Sequence, residues 1–285
     1  MVRRLAWVTA GEARGRDPDE PLVLSVLAEM GVDVSVVDWN DQRVAWSAFD
    51  RVVIRSPWDY QDRPEEFLGW MSVVESLTDL RNQVAPMRWS LDKRYLLDLA
   101  EAGVAVIPTE FVDPGMALGA LNAPCVIKPS VGAGSRDVAV FHPGDDTLAA
   151  AHIARLHARQ VAALVQPLLP SVAVDGEWPM VFFGGEFSHT ASKRVHLPDP
   201  STAGELFAIE SNEPCIASAE QIEAAEQAME YVQRRFGTLT YGRVDLVRAE
   251  DGRYLVLEVE LVEPSLFLPE GGADAVRRCA AALVA

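Results

Sequence analysis

The sequence predicts a mixed architecture, α/β at the N-terminus and α+β over the rest of the chain, and three observations carry this. Apolar runs at 5–10 (LAWVTA), 32–39 (VDVSVVDW) and 50–56 (DRVVIRS), with a helical stretch between the first two, have the rhythm of an open α/β unit buried on both faces. Further along, strands come in adjacent pairs joined by short loops, at 124–142, 178–195 and 241–261. The chain has 285 residues, 49% hydrophobic and 24% charged, an ordinary globular composition with room for one large domain or two to three small ones.

The N-terminal unit reads strand by strand. Residues 20–30 suit a helix stopped by Gly31. No GxGxxG follows the first strand, so a dinucleotide fingerprint is absent. The third strand runs into Arg55-Ser56-Pro57-Trp58-Asp59-Tyr60. Ligands of open α/β sheets gather at carboxyl ends of strands, and an arginine there can clamp a substrate carboxylate. The alternative is a Pro-bearing turn with Trp58 as packing anchor. Residues 64–77 (PEEFLGWMSVVESL) then form a helix with acidic residues in its first turn.

The pattern breaks around 81–90. Ser90 is expected to cap a helix over 91–102, with Lys93 in its first turn and Gly103 at its end. Residues 102–112 read as extended. A strand at 124–130 ends in Lys128-Pro129, and the small-residue loop that follows contains Ser130, Gly132, Gly134 and Ser135. Backbone N–H groups in such a loop can fold over phosphate oxygens. The bland alternative is a plain turn between strands. A helix over 146–159 carries His152 and His157, five apart and read as surface residues. The strand at 163–170 enters a proline-broken connector of the kind whose backbone can read an adenine edge. Residues 178–195 read as strand, Gly184-Gly185 turn and strand, ending at Lys193-Arg194. Residues 198–215 read as a long loop, 218–236 as a helix ended by Gly237, and the chain closes with a helix from Gly272.

The most informative stretch is 241–264, YGRVDLVRAEDGRYLVLEVELVEP. Asp251-Gly252 predicts a two-residue hairpin turn, because both central positions of a type I′ turn need positive φ. Counting outward sets Asp245 opposite Glu258 and Arg243 opposite Glu260, all on one face. Val244, Leu246, Leu255, Leu257, Val259 and Leu261 form the apolar face. Three carboxylates packed so closely repel unless a cation sits among them, and hard oxygens at this spacing suit Mg²⁺. The alternative is a solvated polar face of an edge hairpin.

The net charge of −17 excludes nucleic acid and anionic membranes as partners, and it requires any anionic ligand to be held by a local cationic cluster. No run is long enough to cross a membrane, and the N-terminal apolar stretch is too short for a signal peptide. The three cysteines, Cys125, Cys215 and Cys279, are widely spaced, which fits a reducing cytoplasm and no zinc site. Of 25 basic residues only Lys93, Lys128 and Lys193 are lysines, candidates for compact phosphate contacts that a planar guanidinium would not make.

VIKP with its Gly loop, VQPLLP with the later Gly-Glu, and GRVDLV with LVLEVE together resemble the ATP-grasp ligases over nearly the whole chain. The resemblance implies an ATP-grasp fold behind a pre-ATP-grasp α/β domain. It divides the chain into 1–85 (substrate domain), 86–165 (central subdomain with the Gly loop) and 166–285 (C-terminal subdomain with the metal site). It implies ATP and Mg²⁺. Lys93 and Lys128 match phosphate ligands, loop 130–136 a phosphate cover, Gln166 to Leu169 (Leu168 included) the adenine hinge, and Glu177 the ribose carboxylate. Lys193 and Arg243 match the basic groups on the transferred phosphate, and with Lys128 they are the catalytic candidates. Asp245, Glu258 and Glu260 match the Mg²⁺ ligands, although many members carry Asn where Glu260 stands. RSPWDY with ELVEPSLF is similar to the subgroup containing the cyclo-ligase of D-cycloserine biosynthesis. That resemblance implies a small amino-acid-like substrate beside Arg55, Trp58, Asp59, Arg194, Arg243 and Ser265. The activity implied is ATP-dependent carboxylate–amine ligation through an acylphosphate. The rivals are intermolecular ligation and a non-catalytic nucleotide-binding regulator. A homodimer stays open.

Overall fold

A computed structural model describes residues 2–132, 136–195 and 210–285. Gly134, Ser135 and residues 198–209 of the expected loop lie outside this description.

The N-terminal unit contains β1 (Arg4–Thr9), α1 (Glu20–Glu29), β2 (Asp33–Asp38), β3 (Arg51–Ser56), α2 (Pro64–Leu77) and β4 (Asp79–Arg81). Its sheet is parallel, in the order β2-β1-β3-β4. Alternation along β1 explains the apolar runs. Ala6 and Val8 face a core with Trp39 and Phe67, while Leu5 and Trp7 face a second core with Leu27 and Leu283.

Two short helices follow, α3 (Val84–Leu91) and α4 (Tyr95–Glu101). This corrects the single helix expected over 91–102. Ser90 lies inside α3 and donates to the Met87 carbonyl at 3.2 Å. Asp92 ends α3 with an extended backbone, and its carboxylate accepts the Arg94 N–H at 3.0 Å in the turn before α4, which has no side-chain cap. Lys93 therefore sits in the break between two helices, its N–H bonded to the Ser130 carbonyl at 2.8 Å.

An antiparallel sheet, β5-β8-β6-β7, holds β5 (Glu110–Val112), β6 (Cys125–Pro129), β7 (Ala139–Phe141) and β8 (Ala163–Pro167), with α5 (Asp146–Ala158) packed on it. His152 is not the surface residue expected, and His157 is half-buried. His152 is buried with Nε2 at the Asp137 carbonyl, and His157 bonds to the Val112 carbonyl, each at 3.0 Å.

After the short helix α6 (Pro170–Val174), a second antiparallel sheet is built from β9 (Trp178–Phe183), β10 (Glu186–Val195), β11 (Glu210–Cys215), β12 (Tyr241–Arg248) and β13 (Tyr254–Glu260). Its order is β11-β10-β9-β12-β13. Residues 210–215, read as loop from the sequence, pair with β10 as an edge strand despite Pro214, a residue tolerated at sheet edges. Helix α7 (Ala219–Phe236) starts at a capping box, Ser218 with Gln221, and covers one face of this sheet. Helix α8 (Leu268–Val284) kinks at Gly272 and packs back onto α1 and β10.

Asn82 ties the N-terminal unit to this last sheet. Its amide donates to the carbonyls of Tyr241 (2.9 Å) and Leu261 (2.8 Å) and accepts the Thr240 N–H (2.9 Å). The buried Tyr241 hydroxyl is enclosed by the carbonyls of Ile54, Arg81 and Val262, the nearest at 2.8 Å. These bonds fix where β12 and β13 begin and end relative to β3.

Candidate active site

The hairpin of β12 and β13 places its carboxylates through two offsets that cancel. The turn lies one residue earlier than predicted: Gly252 N–H bonds to the Ala249 carbonyl at 2.9 Å, with Glu250 and Asp251 in the centre. Gly252 follows at φ 88°, the left-handed position of a three-residue hairpin loop. That shift alone would turn the carboxylates of β13 away from those of β12. A β-bulge at Leu257 restores the count, because Leu246 pairs with Val256 while Asp245 pairs with Glu258. Asp245 thus opposes Glu258 and Arg243 opposes Glu260, as the sequence predicts. The apolar face is corrected by the same bulge. Val256 joins Val244, Leu246, Val259 and Leu261 in the core under α7, and Leu255 and Leu257 lie on the opposite side with Val247.

Asp245, Glu258 and Glu260 each offer a carboxylate oxygen, all within 4.8 Å of one another. Cations of the chain itself meet them. Arg243 reaches Asp245 at 2.6 Å through Nε and Glu260 at 2.6 Å through Nη2, and its Nη1 donates to the Ser265 carbonyl at 3.0 Å. Lys128 Nζ lies 2.5 Å from Glu258, with Lys93 Nζ 3.9 Å away on the other oxygen. Burial pushes the Glu258 carboxyl up, but Lys128 and Lys93 outweigh it and hold it at about 2. Burial raises Glu260, and the neighbouring Asp245 and Glu258 add to this against Arg243. Burial disfavours the Arg243 charge, yet Asp245 and Glu260 more than compensate and keep the guanidinium ionised. Three carboxylates face three cations there, so the cluster is balanced as it stands, and three hard oxygen donors this close together fit Mg²⁺.

The carboxylates line a cleft of about 630 Å³ between the two antiparallel sheets, to which Arg16, Asp19 and Trp58 of the N-terminal unit also contribute. All three lysines of the chain line it. Lys93 also donates to the Gly132 carbonyl at 3.0 Å, joining the Gly loop to the floor. Lys193 pairs with Glu177 at 3.2 Å, and burial raises the Glu177 carboxyl against that pull. Ile107, Leu169, Val172 and Leu257 form an apolar wall, continued by Leu168. Gln166 lines the cleft with its amide donating to Thr109 Oγ1 at 3.0 Å. Ser130 is buried beside the cleft, its carbonyl occupied by the Lys93 N–H. Trp58 and Ser265 line it as well.

Three expected substrate residues do not line the cleft. Arg55 is 1% exposed and turned inward, donating to the Pro264 carbonyl at 2.8 Å and stacked over Trp7 and Tyr241. Sequence position at a strand end was a correct guide to the region but not to the direction of the side chain. Asp59 accepts from Trp39 Nε1 at 2.7 Å and Arg63 at 2.6 Å, which makes it an anchor of the turn. Arg194 is exposed, because successive strand residues face opposite sides and Lys193 takes the cleft side. Several residues the sequence did not single out also line it, Arg16 and Glu263 among them. Arg16 lies in a loop without regular pattern. Glu263 was visible in ELVEPSLF as a fourth acid beyond the hairpin. Burial and the neighbouring Glu260 push its carboxyl up to about 8, and the Tyr60 hydroxyl hydrogen-bonds it.

Comparison with known proteins agrees with this geometry. Residues 5–82 match the family described as D-cycloserine synthetase DcsG, N-terminal domain. The cycloserine biosynthesis protein DcsG of Streptomyces lavendulae is 38% identical over 277 residues, covering 93% of this chain and 92% of that protein. The crystal structure of D-cycloserine synthetase DcsG superposes with a TM-score of 0.89 at 36% identity over 98% of both chains. Two more distant structures share the fold alone. D-alanine–D-alanine ligase from Bacillus anthracis has a TM-score of 0.73 at 17% identity, covering 99% of this chain and 96% of that one. An ATP-grasp RimK domain protein from Sphaerobacter thermophilus DSM 20745 has a TM-score of 0.68 at 21% identity, covering 99% of this chain and all (100%) of that one. The chain belongs to the D-cycloserine synthetase DcsG family and has the ATP-grasp fold.

Proposed function

We propose that this protein is an ATP-dependent, ADP-forming ligase that closes O-ureido-D-serine into the ring of D-cycloserine through an acylphosphate. The observation that carries the reading is the convergence of all three lysines and three carboxylates in one cleft of a chain with net charge −17. A cation cluster maintained against such a field is what a triphosphate needs. The similarity to DcsG points to D-cycloserine as the product, and the resemblance to the cyclo-ligase of that biosynthesis implies O-ureido-D-serine as the substrate.

The apolar wall of Ile107, Leu168, Leu169 and Val172 receives the adenine, and Glu177 the ribose. Lys93, Lys128 and Lys193 hold the phosphate oxygens, and Lys93 keeps the Gly loop near them through the Gly132 carbonyl. Asp245, Glu258 and Glu260 would hold Mg²⁺, which when bound supplies Lewis-acid neutralisation of the phosphates. Lys128 and Arg243 now stand against those carboxylates, so both are already at the place where phosphate charge must be balanced. Arg243 lies between the carboxylate cluster and Ser265, where it can steady the oxygens of the transferring group. The substrate carboxylate takes the γ-phosphoryl group in line and becomes an acylphosphate. A nitrogen of the same molecule then attacks the acyl carbon and phosphate leaves. Because the nucleophile is tethered, one pocket serves both reacting groups at high effective concentration. Trp58, Arg16 and Ser265 form the substrate end.

The test is ADP release with Mg-ATP and O-ureido-D-serine alone, compared with pairs of amino acids. Release with the single substrate, matched by D-cycloserine, is expected. Release only with pairs would reassign the protein to intermolecular ligation, and ATP binding without turnover would make it a regulator.

A further inference from the structure

The ring-closing nitrogen of O-ureido-D-serine is not an amine. It is a urea nitrogen bonded to oxygen, with its lone pair delocalised into the urea carbonyl. It becomes an effective nucleophile only as its proton leaves, so the second half-reaction needs a base within reach of the acyl carbon.

Seven carboxylates line the cleft among the described residues. Glu177, Asp245, Glu258 and Glu260 each face a lysine or an arginine. Asp19 accepts the backbone N–H groups of Leu266 at 2.6 Å and Leu268 at 2.9 Å. Glu270 lies at the partly exposed start of α8. Glu263 differs from all of these: it is buried, and its hydrogen-bond partner is the neutral hydroxyl of the buried Tyr60.

Its position is equally specific. Glu263 lines the main cleft, as do Trp58, Arg16 and Ser265. It also lines a small side cavity of about 30 Å³ together with Lys93, Glu258 and Glu260, the groups assigned above to the transferring phosphate. Among the described residues it is thus the one acid that lines both cavities without an ion pair to a lysine or arginine. Tyr60 holds it there from the turn that follows β3.

We propose that Glu263 is the proton acceptor for ring closure. Burial keeps most of this carboxyl protonated at neutral pH, so its ionised fraction, which grows as pH rises toward 8, takes the N–H proton as the nitrogen forms its bond to the acyl carbon. The bond from that carbon to the phosphate oxygen breaks, and the electron pair leaves with inorganic phosphate. The nascent ring still carries the carbamoyl group, whose removal consumes one water and yields carbon dioxide and ammonia. This assignment rests on the proposed function, and its test separates the two.

The test uses the full-length protein with Mg-ATP and O-ureido-D-serine, with and without hydroxylamine, which intercepts an acylphosphate as the hydroxamate. Wild-type protein is measured first; no ADP release from it would overturn the ligase reading itself. Glu263→Gln keeps the size of the side chain and removes the base. The expected result is loss of D-cycloserine formation by at least about 100-fold with hydroxamate formation within about threefold of wild type. Tyr60→Phe keeps the carboxylate and frees it, so it should show the same split on a smaller scale, and it serves alone if Glu263→Gln does not fold. Unchanged ring closure, or equal loss of both half-reactions, would overturn the assignment.

Discussion

Lys128→Ala has a stability consequence as well as a catalytic one, and its size follows from the structure. Lys128 and Lys93 hold the Glu258 carboxyl at about 2, against an ordinary value of 4.5. A folded-state value below the unfolded one contributes stability above the unfolded value and loses it as pH falls toward the folded one. A difference of this size corresponds to about 3 kcal/mol at neutral pH. Lys128 itself is buried, and removing its own desolvation cost offsets part of this, so about 1–3 kcal/mol is the expected loss. The assay is urea unfolding of wild type and variant at several pH values from 7 downward. The gap between them should be full at pH 7 and shrink below about 4.5. Equal stability at pH 7, or a gap that does not change with pH, would refute the claim that this pair governs Glu258. In turnover the same variant should lose orders of magnitude, because it removes a charge from the phosphate site.

The remaining predictions address the hairpin, the basic strand end and the clasp. Glu258→Gln should abolish turnover at the Mg²⁺ concentration that saturates wild type, while circular dichroism stays unchanged; wild-type turnover with an unchanged Mg²⁺ requirement would remove Glu258 from the metal set. Lys193→Ala should lower turnover by at least about 100-fold whereas Arg194→Ala stays near wild type, since only Lys193 faces the cleft. Equal effects in steady-state kinetics would contradict that division. Asn82→Ala removes three buried hydrogen bonds between the N-terminal unit and β12–β13, so about 3 kcal/mol of unfolding free energy should be lost. A denaturant midpoint unchanged from wild type would show that the clasp is dispensable.

Most of the cleft was legible because periodicity and residue chemistry both survive in a linear chain. Strand alternation alone put Asp245, Glu258 and Glu260 on one face, and the scarcity of lysine singled out three residues that all reach the cleft. The hairpin also shows how a correct register can follow from an incorrect turn. Asp-Gly marks a turn region but does not distinguish a two-residue loop from one in which Gly252 follows the central pair, and nothing in LVLEVE announces a bulge at Leu257. Arg55, Asp59 and Arg194 failed for another reason. Position at a strand end or beside a lysine says nothing about which groups are nearest, and buried carbonyls, indoles or solvent claimed these side chains. Ser90 was read as a cap from its type, whereas the chain stays helical through Leu91 and breaks only at the extended backbone of Asp92. Arg16 and Glu263 belong to the cleft through contacts between distant segments, which no local pattern encodes.

The central claim is that this cleft activates the substrate's own carboxylate as an acylphosphate. The most direct measurement uses O-ureido-D-serine labelled with ¹⁸O in its carboxylate, turned over with unlabelled Mg-ATP in unlabelled water. One labelled oxygen in each inorganic phosphate released, in step with D-cycloserine formed, is the predicted result. Unlabelled phosphate would mean that the carboxylate never carries the γ-phosphoryl group, and would contradict the account.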